Sequence, residues 1–424
     1  MWRFVAALVA GVLAIWLPTG FAVAQQRLEL KLTTSPTIFD GAYKKVIDRF
    51  EAAHPDIKIN VVSSVRDFDE IVQQTLRAGL VGDLPDMSIQ GSNRVQPLAE
   101  RGFAVPLDLL IKNDPTWSSF GFSPAATEIG KVRGQVYALG IGFSTPILLY
   151  NVDLVRRAGA DPDNLPKDWP GAIELARKIA ATGPDTTGGL FQYGSSGNWT
   201  FLALLESFGG AMATADDKAI AFDSPAGLKA LQVLRAFGEA GQSKADMTRE
   251  QARQAFAAGK LGFMIDASSF LAAAERQAAG RFPIRVAPMP IPSAEGRIPA
   301  AGAAIVLFAK DPAGQQAAWK FMKFFAGAEA QTIIAKDINL VPVNQTAISD
   351  PAFLADFYKE RPNAAVSVSQ ASIAGPWYSF PGANSVKITS VIADYLSAVV
   401  RLRQSPEEAM AGMKRDVEPL LVSQ

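Results

Sequence analysis

Tyr137-Ala-Leu-Gly-Ile-Gly-Phe-Ser-Thr-Pro-Ile-Leu-Leu-Tyr-Asn151 is the stretch on which the fold turns. Its second half, Ile147 to Tyr150, is a continuous apolar run bounded by polar residues, the pattern of a strand buried on both faces. Its first half holds two glycines, Gly140 and Gly142, which permit close backbone approach, and the hydroxyl pair Ser144-Thr145 ahead of Pro146. Directly after Asn151 the period changes. Asp153 to Gly159 reads as a short helix with a glycine stop, and Asp168 is placed to cap a helix over Trp169 to Ala180. Ala172, Ile173, Ala176 and Ile179 fall on one side of that helix, the spacing of a buried face.

Upstream, Leu28, Leu30 and Leu32 alternate with Glu29 and Lys31 as in a strand, and a helix over Asp40 to Ala53 presents Tyr43, Val46, Ile47 and Phe50 on one side. Strands at Ile57 to Val62 and Met87 to Gln90 flank another helix that ends near Gly79. Such alternation predicts an α/β fold with a largely parallel sheet. Downstream, Ser224-Pro225 and Asp311-Pro312 each pair a capping side chain with a proline in the first helical turn. Further helices are expected over Asn198 to Phe208, Arg249 to Ala258, Pro351 to Tyr358, Ser385 to Arg403 and Pro406 to Leu421, and strands over Leu261 to Ile265 and Ile305 to Ala309. The segment Ile284 to Ile291 is extended and broken by prolines.

The chain has 424 residues, more than one ordinary core accommodates, so two domains are expected. With 41 basic and 41 acidic residues it lacks the cationic excess of a nucleic-acid surface. Met1 to Arg3 followed by the apolar Phe4 to Leu17 and by Ala22-Val-Ala24 reads as a cleavable secretory signal, residues 1–24, because the run falls short of the roughly 20 residues a membrane helix needs. There is no cysteine, hence neither a disulfide nor a lipid attachment point at the cleavage site. A freely diffusing periplasmic protein fits these features.

Three blocks, "STPILLYNVDLVRRAGADPDNLPKDW", "AGLVGDLPDMSIQ" and "QAFAAGKLGFMIDASSFL", resemble the extracellular solute-binding proteins of ATP-driven importers, in particular the family 1 type that handles sugars and glycerol phosphate. The resemblance covers essentially the whole chain after the signal. It implies a two-lobe periplasmic binding protein fold of type II, each lobe a mixed, mostly parallel sheet flanked by helices, with the ligand cleft between lobes. Residues 27–138 and 303–343 would form the first lobe, and residues 139–302 and 344–424 the second. The chain would pass between them near Tyr137 to Asn151, Ile284 to Ile291 and Leu340 to Val343. The implied partners are a sugar or polyol and the membrane permease, with a monomeric protein, no nucleic acid and no cofactor.

Catalysis finds little material. The single histidine, His54, cannot build a triad or a multi-histidine metal site, and no phosphate-binding loop motif is present. A carboxylate-dependent glycosidase or lyase remains the rival from another class, with Asp40, Asp86, Glu206 and Asp266 as candidates. Binding is better supplied, because sugars present hydroxyl edges and apolar faces. Where the family places cleft loops, this chain has Ser92 and Asn93 just after a strand, the pair Ser144 and Thr145, then Asn198 with Trp199, and Ser268 with Ser269 after another strand. Trp199 matches a tryptophan that faces ligand in glycerol-phosphate-binding relatives, although packing at a helix start is the plain alternative. Ser144 and Ser268 could equally cap backbone groups. Gly302 and the aromatic, glycine-rich loop with Trp377, Tyr378 and Asn384 complete the set. The glycerol-phosphate members carry an arginine in this last loop and a tyrosine near Leu340. Neither is present, which favours a neutral saccharide or polyol over sn-glycerol 3-phosphate or a glycerophosphodiester.

Overall fold

The computed structural model describes Trp2, residues 27–382 and residues 384–422. The expected secretory signal therefore lies outside the described residues, Trp2 apart. Among the described residues nine strands form two sheets: β1 (Leu28–Thr34), β2 (Ile57–Ser64), β3 (Met87–Gly91), β4 (Ala138–Ser144), β5 (Pro146–Asn151), β6 (Thr187–Phe191), β7 (Leu261–Ala267), β8 (Ile284–Pro288) and β9 (Ala301–Leu307). The first sheet has the order β2-β1-β3-β9-β4 and the second β8-β5-β7-β6. Two short ribbons lie outside these sheets.

The quoted stretch spans both sheets. β4 pairs antiparallel with β9 in the first, and β5 pairs antiparallel with β7 and β8 in the second. Every residue of β5 is buried, and its alternating side chains feed two different cores. Leu148 and Tyr150 enter the large core with Trp169, Phe191 and Phe237, while Ile147 and Leu149 face the core of Phe256, Phe270 and Leu271. A strand covered by helices on both sides must be apolar at every position, which is why the run is continuous.

The change of sheet falls at Thr145, later than the boundary expected after residue 138. The resemblance makes the whole stretch a passage, whereas Leu139, Ile141 and Phe143 pack into the core of the first sheet. Gly142 takes φ 127° at a bulge opposite Ala303, a conformation suited to glycine. Similarly, Ile284 to Pro288 does not cross. It forms the edge strand β8, where proline removes no ladder bond that a neighbour needs, and the chain passes over afterwards, between Met289 and Ala300. At Leu340 to Val343, where the resemblance implies the third passage, Val341 N donates to Phe143 O at 2.7 Å and Phe143 N returns a bond at 3.2 Å.

Pairing is parallel among β1, β2 and β3 and between β6 and β7, and antiparallel between the other neighbours of the two sheets. The sheets are thus more mixed than strand–helix alternation predicts, because β9 enters the first sheet from the opposite direction after its excursion. Asp168, Ser224 and Asp311 each accept a backbone N–H as helix caps, as the sequence requires. The C-terminal helices Ser385–Val400 and Pro406–Val422 pack through Ile392, Leu396, Met413 and Val417 onto the core that holds Leu148 and Tyr150. Among the described residues no helix is long and apolar enough to cross a membrane.

The two sheets are also tied across their facing edges. Arg94, 2% exposed, donates to Asp69 Oδ1 at 2.8 Å and to the hydroxyls of Ser379 and Ser385 at 3.3 and 3.0 Å. Asp69 Oδ2 accepts from Ser196 Oγ at 2.7 Å. Arg94 and Asp69 belong to the β1–β3 side, and the three serines to the β5–β8 side. Asp69→Ala would leave the guanidinium buried with hydroxyls alone. We expect a loss of about 1–3 kcal/mol in chemical denaturation and a larger radius of gyration in X-ray scattering, since the tie between the halves goes with the charge. An unchanged radius would show that the halves stay together without it.

Candidate functional site

Between the sheets lies a cavity of about 310 Å³ walled from both sides. The first side contributes Phe39 and Phe68, from helix starts after β1 and β2, together with Ala303 and Leu340. The second contributes Ser195, Ser196, Trp199, Ser269 and Phe270. Ser144, the last residue of β4, stands at the junction. Trp377 closes one end and also walls a second cavity, of about 520 Å³, with Ser92, Asn93, Phe143, Tyr378 and Ser379. One indole is thus shared by both spaces.

Four of the expected site residues, Ser144, Trp199, Ser269 and Trp377, meet at the first cavity, and Ser92, Asn93 and Tyr378 join Trp377 at the second. Asn198 lies beside them, on a polar groove with Ser196 and Arg249, and its amide donates to Thr389 O at 2.9 Å. The remaining four are engaged elsewhere. Thr145 and Ser268 hold the crossover: Ser268 N donates to Thr145 O at 2.9 Å, Thr145 N to Ser268 Oγ at 3.2 Å, and Gln370 Nε2 to Thr145 Oγ1 at 3.1 Å. The Ser268 hydroxyl caps a backbone group, the alternative left open for it, and the Thr145 hydroxyl accepts from an amide. Gly302 allows a close approach, since a Cβ there would sit 2.8 Å from Ile129 and 3.2 Å from Ser92 Oγ. Asn384 donates to Leu420 O and walls neither cavity.

Around Trp377 several buried polar atoms have no partner among the described residues: Ser92 Oγ, both amide atoms of Asn93, Asn198 Oδ1 and Trp377 Nε1. Gly197 makes room among them, because a Cβ there would come within 2.8 Å of Asn93 Nδ2 and 3.4 Å of Trp377 Nε1. Buried donors and acceptors left unsatisfied by protein are costly, and a hydroxylated guest offers both functions at once.

Trp199 serves as wall and as core. It is 2% exposed, and its Nε1 donates to Pro299 O at 2.9 Å. Behind the cavity, Asp266 is wholly buried and held by two arginines of one helix: Arg249 Nε at 3.0 Å from Oδ1, and Arg253 Nε at 2.7 Å from Oδ2. Burial alone would push the Asp266 carboxyl up, but the two guanidinium charges and their hydrogen bonds hold it well below the usual carboxylate range. Of the four carboxylates considered for catalysis, none walls either cavity. Asp40 accepts from Ser64 at 2.8 Å, Asp86 from Lys31 N at 2.7 Å, and Glu206 sits on the helix Trp199–Ser207 near Arg297, pushed up to about 8 by burial. No metal cluster exists among the described residues.

Sequence reading missed Phe39, Phe68, Phe270, Arg249 and Arg253. The first two stand just beyond the carboxyl ends of β1 and β2, where open α/β sheets hold ligands, and that rule would have found them. The arginines lie four apart on one helix, a spacing visible in the sequence, but only the fold shows that this helix face meets Asp266.

The sequence profile of the bacterial extracellular solute-binding proteins matches residues 45–365. The chain is 24% identical over 399 residues to the sn-glycerol-3-phosphate-binding periplasmic protein UgpB of Pectobacterium atrosepticum, covering 86% of this chain and 84% of that one. Its fold is similar to that of the cyclic alpha-maltosyl-1,6-maltose binding protein from Arthrobacter globiformis, with TM-score 0.76, 21% identity, and coverage of 94% and 100% of the two chains. UgpB from Mycobacterium tuberculosis in complex with glycerophosphocholine gives TM-score 0.79 at 20% identity, covering 94% of this chain and 98% of that one. With the profile spanning most of its length, the chain belongs to the family of bacterial extracellular solute-binding proteins.

Proposed function

We propose that this protein is the solute-binding component of an ATP-driven importer, and that it captures a carbohydrate or polyol between two lobes and hands it unaltered to the membrane permease. The lobes would be residues 27–144 with 301–343, and residues 145–300 with 344–424, the first two boundaries moved to where the sheets change and the third kept as the resemblance implies it. The observation that carries this reading is the cavity walled from both sheets by aromatic rings and serine hydroxyls, which shares Trp377 with a second cavity where Ser92 and Asn93 hold unsatisfied polar atoms. Rings pack against the C–H faces of a sugar, and the polar atoms take its hydroxyls. Contacts made on both lobes are complete only when they are closed, so binding favours closure.

A thermal-shift screen of saccharides and polyols against sn-glycerol 3-phosphate, followed by NMR of the stabilising compound, tests the proposal. The compound should remain intact; product formation would overturn the transport reading in favour of catalysis. Trp377→Ala should weaken binding of that compound by about tenfold or more, since one ring serves both cavities. Calorimetry on the folded variant reads this directly, and unchanged affinity would remove Trp377 from the site.

A further inference from the structure

The pair Arg249 and Arg253 is more than a clamp on Asp266. Each guanidinium spends Nε and Nη2 on that carboxylate, and Nη1 of neither has a partner among the described residues. Both arginines and Phe270 wall the first cavity, whereas Asp266 lies behind them. Arg253 is further fixed by its guanidinium carbon, 4.1 Å from the Phe270 ring centroid. Two cationic side chains, 28% and 18% exposed, thus share one buried carboxylate. Of the other charges at the wall, Arg66 and Asp67 pair with each other at 3.5 Å. Glu250 acts on Arg253 from an exposed position, where water and salt weaken its effect.

We propose that the carbohydrate or polyol carries one oxyanion, a carboxylate or a phosphate, which seats on the free Nη1 edges of Arg249 and Arg253. This rests on the reading of the cavity as the ligand site. It revises the expectation of a neutral ligand, which was drawn from a loop that lacks a basic residue: the positive charge is supplied here by a different element. Guanidinium forks already oriented by Asp266 lose little freedom on meeting an oxyanion, and charge-assisted hydrogen bonds are the strong ones. The serine hydroxyls of the cavity are left for the uncharged part of the ligand.

Calorimetry on the full chain with two matched pairs tests the idea: D-glucose against D-glucuronate, and glycerol against sn-glycerol 3-phosphate. The acidic member of one pair should bind about tenfold or more tightly than its neutral partner. The pair that responds tells carboxylate from phosphate. In Arg249→Gln, and in Arg253→Lys as a milder variant, the ratio of acidic to neutral affinity, read in the same folded variant, should shrink to within about twofold. Equal binding of neutral and acidic members would overturn the oxyanion and leave the carbohydrate reading standing. A preference that survives in a folded Arg249→Gln would overturn the assignment to this pair. Silence from all four compounds while a neutral saccharide or polyol of the wider screen binds would overturn the oxyanion and leave the carbohydrate reading standing, whereas silence from every compound would overturn both.

Discussion

Trp199→Ala is expected to cost about 3–5 kcal/mol of stability and to abolish measurable ligand capture at the same time. The sequence alone suggests a ligand platform whose removal leaves the fold intact. The structure joins the two roles, because the indole that walls the cavity is 2% exposed, packs in the core with Phe191 and Phe201, and donates to Pro299 O. Removing it opens a void that neighbours on a well-packed helix cannot fill, and strands a carbonyl of the second passage. Urea denaturation reads the stability. Trp199→Phe separates the roles, since it keeps a ring against the core and loses the indole N–H. A Trp199→Ala protein as stable as the parent would contradict the burial described above.

Stability should fall as pH rises from 5 to 8, by about 1.4 kcal/mol per pH unit from Glu206 alone. Burial pushes this carboxyl from 4.5 up to about 8, with the charge of Arg297 offsetting part of the effect. Between those values the folded chain keeps a proton that the unfolded chain releases. The contribution is therefore complete below about 4.5 and lost as pH climbs through 8, on the order of 4–5 kcal/mol in all. Glu206→Gln, uncharged at every pH, should flatten the slope across that window, and melts taken at pH 5 and pH 8 measure the difference. Asp266 works in the opposite direction and in another range. Its carboxyl is depressed, so its contribution is present above the ordinary 3.8 and lost only as pH falls further. An identical slope in the two proteins would place the pH response elsewhere.

Much of the architecture could be read from residues whose chemistry acts locally. Asp168, Ser224 and Asp311 cap their helices because a short oxygen-bearing side chain precedes a proline at the first turn. β5 could be read because burial on both faces leaves no polar position between Ile147 and Tyr150. The passages were harder. The resemblance puts a boundary after residue 138 but no local pattern says which sheet β4 joins, and prolines on an edge strand look like a break, so β8 reads as a passage. The site was partly legible for a similar reason. Ser144, Trp199, Ser269 and Trp377 stand where strands end, whereas the role of Arg249 and Arg253 depends on Asp266, whose partners no local pattern announces.

The mutual bonds between Phe143 and Val341 have a mechanical meaning. The two segments form a short ribbon, which resists sliding along its length yet twists readily. If the two lobes proposed above move against one another, rotation about a line beside Thr145 is the movement this ribbon would oppose least. Because that residue is gripped by both Ser268 and Gln370, such an axis would be anchored to one half while the other swings on it, like a gate whose post stands in only one field.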